Sequence, residues 1–168
     1  MIRLYFAYGS NLHPLRLVER APSARFVGVA RLAEHALRFH KRGAGPSAKC
    51  DVVPEPGGMV YGAVFRLDEC DLARLDAAEQ GYDRVAVRVS VDAGALDAFT
   101  YRARPERVAP ELPPYRWYRD LVVLGARHHG LPADYVAALG AIAVQDDPDG
   151  ARAAAMDALL ARLRESPM

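Results

Sequence analysis

Two stretches of the sequence combine residue types that can do chemistry. The first is Tyr8-Gly9-Ser10-Asn11-Leu12, where small and polar residues follow an apolar run and precede a helix start. In such a turn, successive backbone N–H groups converge and can hold an anion or a developing oxyanion. The turn carries neither a GxGxxG nor a GxxxxGKS pattern, so nucleotide phosphates are not indicated. The second is Glu79, which falls in the last turn of a helix that should stop at Gly81. A carboxylate there faces the negative end of the helix dipole, which opposes ionisation. Burial would act in the same direction and bring its pKa toward neutrality, as a general base requires. The alternatives are a purely structural turn and a solvated helix-end carboxylate.

Other arrangements are weaker. Ser10 with His128 or His129 offers a nucleophile and a base, but Ser10 is not in a GxSxG elbow and no triad spacing is visible. His35, His40 and Cys50 match no metal-ligand spacing, so no metal is expected. Tyr115, Trp117 and Tyr118 place aromatics beside a proline-rich turn, which most often serves packing. Cys50 and Cys70 form neither a CxxC pair nor a disulfide framework and read as free thiols in a reducing compartment.

The elements that must position these residues follow from periodicity. Residues 2–7 read as a strand, Pro14 to Ala21 as a short helix ended by Pro22, and Arg25 to Phe39 as two strands followed by a loop over 41–48. Residues 59–67 read as a central strand opened by Gly57-Gly58, and Asp68 as the N-cap of the helix that carries Glu79. Strict alternation over 82–91 predicts a half-buried strand paired with 99–103, and helical patterns occupy 115–129, 132–143 and 150–164. Strands first and helices late indicate an α+β fold with a mixed or antiparallel sheet.

Composition sets the outer limits. The 168 residues suit one domain spanning 1–168, and 51% hydrophobic against 26% charged residues is enough apolar mass for a packed core. A balance of 22 basic and 21 acidic residues, net +1, argues against a nucleic-acid partner. Only Lys41 and Lys49 among the basic residues are lysine. No apolar run reaches the ~18 residues of a membrane span and the N-terminus lacks a signal-peptide pattern, so a soluble cytoplasmic protein is expected.

An ordered series of motifs resembles the γ-glutamylcyclotransferases, which convert a γ-glutamyl amino acid to 5-oxoproline and the free amino acid. It begins with LYFAYGSNL from Leu4 and continues through Pro22-Ser23-Ala24, Ala30-Arg31-Leu32, Val60-Tyr61-Gly62 and Leu75-Asp76-Ala77-Ala78-Glu79. It ends at Gly125 to Tyr135, similar to a GAxxxGLPxxY segment, so nearly the whole chain is covered. The resemblance implies a compact barrel-like fold with helices packed around it, Glu79 as the catalytic acid/base, and no cofactor. It further implies a substrate-cradling loop made of Tyr5, Phe6, Ala7, Tyr8, Gly9, Ser10 and Asn11, with Tyr118 lining the pocket. The implied partners are a small γ-glutamyl substrate and a second copy of the chain in a homodimer. Two departures stand out: Gln80-Gly81-Tyr82 leads directly into the next strand, and Pro113-Pro114-Tyr115 replaces the usual Pro-Ser. They bear on the leaving group more than on the reaction type. A γ-glutamylamine or another γ-glutamyl metabolite as substrate, or ligand binding without turnover in the same fold, is the alternative.

Overall fold

The computed structural model describes residues 1–43 and 45–166. Its centre is a closed five-stranded barrel made of β1 (Ile2–Ala7), β2 (Arg25–Arg42), β3 (Ala48–Asp68), β4 (Tyr82–Val91) and β5 (Gly94–Ala103). The strand order is β1-β3-β2-β4-β5, antiparallel except where β1 lies parallel to β5 at Tyr5 and Phe99 and closes the ring. Closure removes exposed sheet edges, and Tyr5, Phe6 and Ala7 of β1 are all buried. The helices are α1 (Pro14–Arg20), α2 (Leu72–Ala78), α3 (Arg116–His128), α4 (Ala133–Gly140) and α5 (Gly150–Arg164). Leu121 of α3 packs with Leu159, Leu160 and Leu163 to hold α5. Among the described residues no helix is long and apolar enough to cross a membrane.

Three expectations are corrected. Residues 25–39 are not two strands but part of the single strand β2, which continues to Arg42. Its pairing with β3 shifts register between Phe26 and Gly28 and again between Ala33 and His35, where Glu34 has φ +59°. Each bulge flips the inward face by one residue, so the alternation breaks while the ladder continues. The strand expected at 59–67 begins at Ala48, inside the stretch read as a loop. Residues 63–68 of β3 pair with β1, whereas the half carrying Pro54 and Pro56 is bonded to β2 alone, which leaves a side where proline is tolerated. Asp68 makes no side-chain cap, and the chain first forms a 3₁₀ turn over Glu69–Asp71. That turn is tied to Ser23, whose backbone N and Oγ donate to Asp71 Oδ2 at 2.8 and 2.5 Å while its Oγ accepts from Asp68 N at 2.9 Å.

Candidate active site

The end of β1 runs into the Tyr8–Leu12 turn, closed by Leu12 N donating to Gly9 O at 3.1 Å. None of the backbone N–H groups of Gly9, Ser10 and Asn11 is engaged by a described residue. Gly9 is needed for close approach: a Cβ there would lie 3.2 Å from Cys50 Cβ and 3.6 Å from the Tyr118 hydroxyl. Opposite the turn, Leu75, fully buried, anchors α2, and Glu79 is the residue that ends it. Glu79 N donates to Leu75 O and Asp76 O, both at 3.1 Å, and Tyr82 N returns to Glu79 O at 3.2 Å. Gly81, at φ +83°, completes this tight turn with a backbone conformation that side chains disfavour.

The side chains meet in a defined network. Asn11 Nδ2 donates to Glu79 Oε1 at 2.6 Å and to the Tyr5 hydroxyl at 3.1 Å. Arg20, from the last turn of α1, donates to Asn11 Oδ1 at 2.8 Å and to Glu79 Oε1 at 3.2 Å. Glu79 Oε1 is thus held twice, while no described residue donates to Oε2. The Glu79 side chain is only 12% exposed. Burial raises its pKa above the ordinary 4.5, against the opposing pull of the Arg20 guanidinium, the Asn11 amide and the ammonium groups of Lys49 and Lys41.

The walls are tyrosines kept neutral by burial. Tyr118 OH accepts from Cys50 N at 3.0 Å, Tyr82 OH donates to Cys50 O at 2.6 Å, Tyr8 OH to Tyr101 O at 2.5 Å, and Tyr101 OH to Asp76 Oδ1 at 2.7 Å. Burial, the leading cause in each case, pushes the phenols of Tyr5, Tyr8, Tyr82, Tyr101 and Tyr118 upward, and the Cys50 thiol with them. Lys41, 3% exposed on β2, donates from Nζ to Gln80 O at 2.6 Å and braces the Glu79 turn.

Of the residues expected at the site, Tyr5, Tyr8, Gly9, Ser10, Asn11, Glu79 and Tyr118 border one narrow cleft of about 20 Å³. Phe6 and Ala7 lie in the core, with Phe6 O accepting from Thr100 Oγ1 at 2.7 Å. Glu79, Tyr82 and Tyr101 are shared with a wider groove of about 660 Å³ that opens beside Gly81. The pairing of Ser10 with a histidine is not formed: His129 Nε2 bonds Leu12 O at 2.7 Å and its ring stacks on Phe26. His40 bonds Asp51 at 2.7 Å and His35 bonds Ala33 O at 2.8 Å, while Cys50 is buried against Tyr118. Sequence reasoning missed Arg20, Tyr82 and Tyr101. It also noted Lys41 only as one of two lysines; that rarity was the one available signal.

A small α+β barrel with a largely buried glutamate beside a cleft, one carboxylate oxygen bonded twice and the other without a described donor, defines a class of barrel proteins with a carboxylate-centred site. Residues 59–139 match the AIG2-like family. A γ-glutamylcyclotransferase of Bos taurus is 32% identical over 154 residues, covering 85% of this chain and 80% of its own, and that of Homo sapiens is 32% identical over 150 residues at the same coverage. A solved γ-glutamyl cyclotransferase superposes with a TM-score of 0.83 at 28% identity over 96% of this chain and 99% of that one. An uncharacterised protein from Homo sapiens superposes at 0.82 with 29% identity, over 95% and 98%. The chain belongs to the γ-glutamylcyclotransferase family, a family of lyase-type enzymes.

Proposed function

We propose that this chain converts small γ-glutamyl amino acids to 5-oxoproline and the free amino acid, with Glu79 as general base and then general acid. The observation that carries this reading is the split state of the Glu79 carboxylate: Oε1 is fixed by Asn11 and Arg20, and Oε2 is open. In a γ-glutamyl amide the α-amine and the γ-carbonyl sit in one molecule. Ring closure therefore draws on proximity, on the order of 7 to 11 kcal/mol for well-oriented intramolecular reactions. The substrate's α-ammonium must first become a neutral amine, and a carboxylate with a raised pKa beside it takes the proton on Oε2. The amine nitrogen then bonds the γ-carbon, the proton on Oε2 passes to the leaving nitrogen as the C–N bond breaks, and the freed carboxylate takes the second proton that the ring nitrogen sheds to become the lactam N–H. The unengaged N–H groups of Gly9, Ser10 and Asn11 are placed to hold the α-carboxylate or the developing oxyanion. Since the cleft has room for about one water, the γ-glutamyl head enters by displacing side chains that close it.

This chemistry asks for no cofactor. The reading includes a single domain over residues 1–168, a cytoplasmic location, in keeping with the free Cys50 and Cys70, and a homodimer. The test is release of 5-oxoproline from γ-glutamyl-alanine by the purified protein and by Glu79→Gln. Turnover by the parent and its loss in the variant, with melting unchanged, are expected; a variant that keeps the parent rate removes Glu79 from this role.

A further inference from the structure

The turn that follows Glu79 is flanked by two cations, Lys41, which braces it, and Arg107, which has no part in the acid–base reading. A Cβ on Gly81 would lie 2.9 Å from Arg107 Nε, 3.0 Å from Lys41 Cε and 3.2 Å from Lys41 Nζ, so both side chains converge on the bare face of this glycine. Lys41 also sits 4.5 Å from the centre of the Tyr82 ring. Burial first, and then the neighbouring Lys49 and Arg107 charges, bring its pKa down to about 8. Like charges held together repel, and a nearby anion is what relieves them.

No described residue provides that anion to Arg107, an exposed side chain whose guanidinium makes no hydrogen bond or ion pair with the described residues. Two acids of the adjoining groove, Asp76 and Asp83, have other partners. Asp76 pairs with Arg84 at 3.3 Å and accepts from Tyr101, and Asp83 pairs with Arg104 at 2.8 Å. Glu106 is exposed and acts on Arg104. Arg107 therefore stands with an open donor fork at the side of the groove.

The groove has a direction. It shares Glu79, Tyr82 and Tyr101 with the narrow cleft, so a substrate whose γ-glutamyl head lies among Tyr5, Gly9 and Asn11 places its scissile amide at Glu79 and its leaving group in the groove. A leaving amino acid carries a carboxylate one carbon from the scissile nitrogen, whereas a leaving amine carries none. We propose that Arg107, with Lys41 behind it, docks the carboxylate of the leaving amino acid and so selects γ-glutamyl amino acids over γ-glutamylamines. Arginine is suited to this because its planar fork meets a carboxylate with two parallel hydrogen bonds. The inference rests on the proposed cyclotransferase reaction.

The test compares γ-glutamyl-alanine with γ-glutamylethylamine, which differ only in the leaving group's carboxylate. The parent is expected to favour γ-glutamyl-alanine. Arg107→Gln is expected to raise KM for γ-glutamyl-alanine on the order of 10- to 100-fold, with kcat much less affected and γ-glutamylethylamine turned over as before. Arg107→Lys should recover part of the loss. An Arg107→Gln variant that leaves the preference intact, or that weakens both substrates alike, overturns the role of Arg107 while the cyclotransferase reading stands. A parent protein that releases 5-oxoproline from neither compound brings down the reaction itself and this inference with it.

Discussion

The Glu79 site and the histidine cluster at the junction of α1, α3 and α5 are both buried and titratable, and they treat burial in opposite ways. His13 is 1% exposed, its ring centre 4.6 Å from His128, and His128 and His129 are 5.0 Å apart. His13 Nδ1 accepts from Leu15 N at 3.3 Å to cap α1, and His129 bonds Leu12 O. Burial and then the neighbouring histidines drive the His13 pKa down to about 4, so the ring stays neutral at ordinary pH. Glu79, by contrast, is surrounded by cations and keeps an oxygen without a donor. Desolvation alone therefore does not distinguish a reactive group from a structural one. What sets Glu79 apart from the histidines is an oxygen that no described residue engages, beside a cleft.

The largest test of this contrast is at Glu79. Glu79→Gln should lower kcat roughly 10²- to 10⁴-fold with little change in melting temperature, whereas His129→Gln should cost stability and leave turnover near the parent's. A rate loss at His129 comparable to that at Glu79 would erase the distinction.

Next in size is the acid sensitivity of the fold. Because folded His13 titrates near 4 and unfolded histidine near 6.5, the unfolded chain takes up the proton first as pH falls. The His13 contribution is complete above about pH 6.5, declines as pH falls from there and levels off below about 4, on the order of 3 kcal/mol in all. Melting temperatures measured from pH 7.5 to 4 check this, and His13→Asn should flatten that part of the curve.

A smaller effect sharpens the account of Glu79. Arg20 opposes the upward shift of its pKa, so Arg20→Gln should move the acid limb of kcat/KM to higher pH. A downward move would mean that the guanidinium does not stabilise the charged form. The smallest is Tyr118→Phe, which strips the acceptor from the buried Cys50 N–H and should cost about 1 kcal/mol in denaturant unfolding.

Much of this was legible in the residues, and unevenly so. The alternation of Val85, Val87 and Val89 marks β4, and Pro14 with Pro22 brackets α1, because those signals are local and survive any packing. β2 and the first half of β3 were misread because bulges and prolines break a local pattern while the partner strand keeps the ladder in register. In the site, the Tyr8–Asn11 turn and Glu79 carried their own local signatures. Arg20 and Lys41 did not, since an arginine ending a helix or a lysine in a strand looks the same in solvent and in a cleft.

By itself, then, the sequence determined the strands-then-helices order, the turn with its converging amides, and a glutamate placed where its helix stops. Tertiary structure alone decided that this glutamate is buried, that Asn11 and Arg20 take one of its oxygens and leave the other open, and that Arg107 and Lys41 converge on Gly81. The reason is physical: desolvation and charge proximity depend on distances between residues as far apart in the chain as Asn11 and Glu79, and those distances exist only once the barrel has closed.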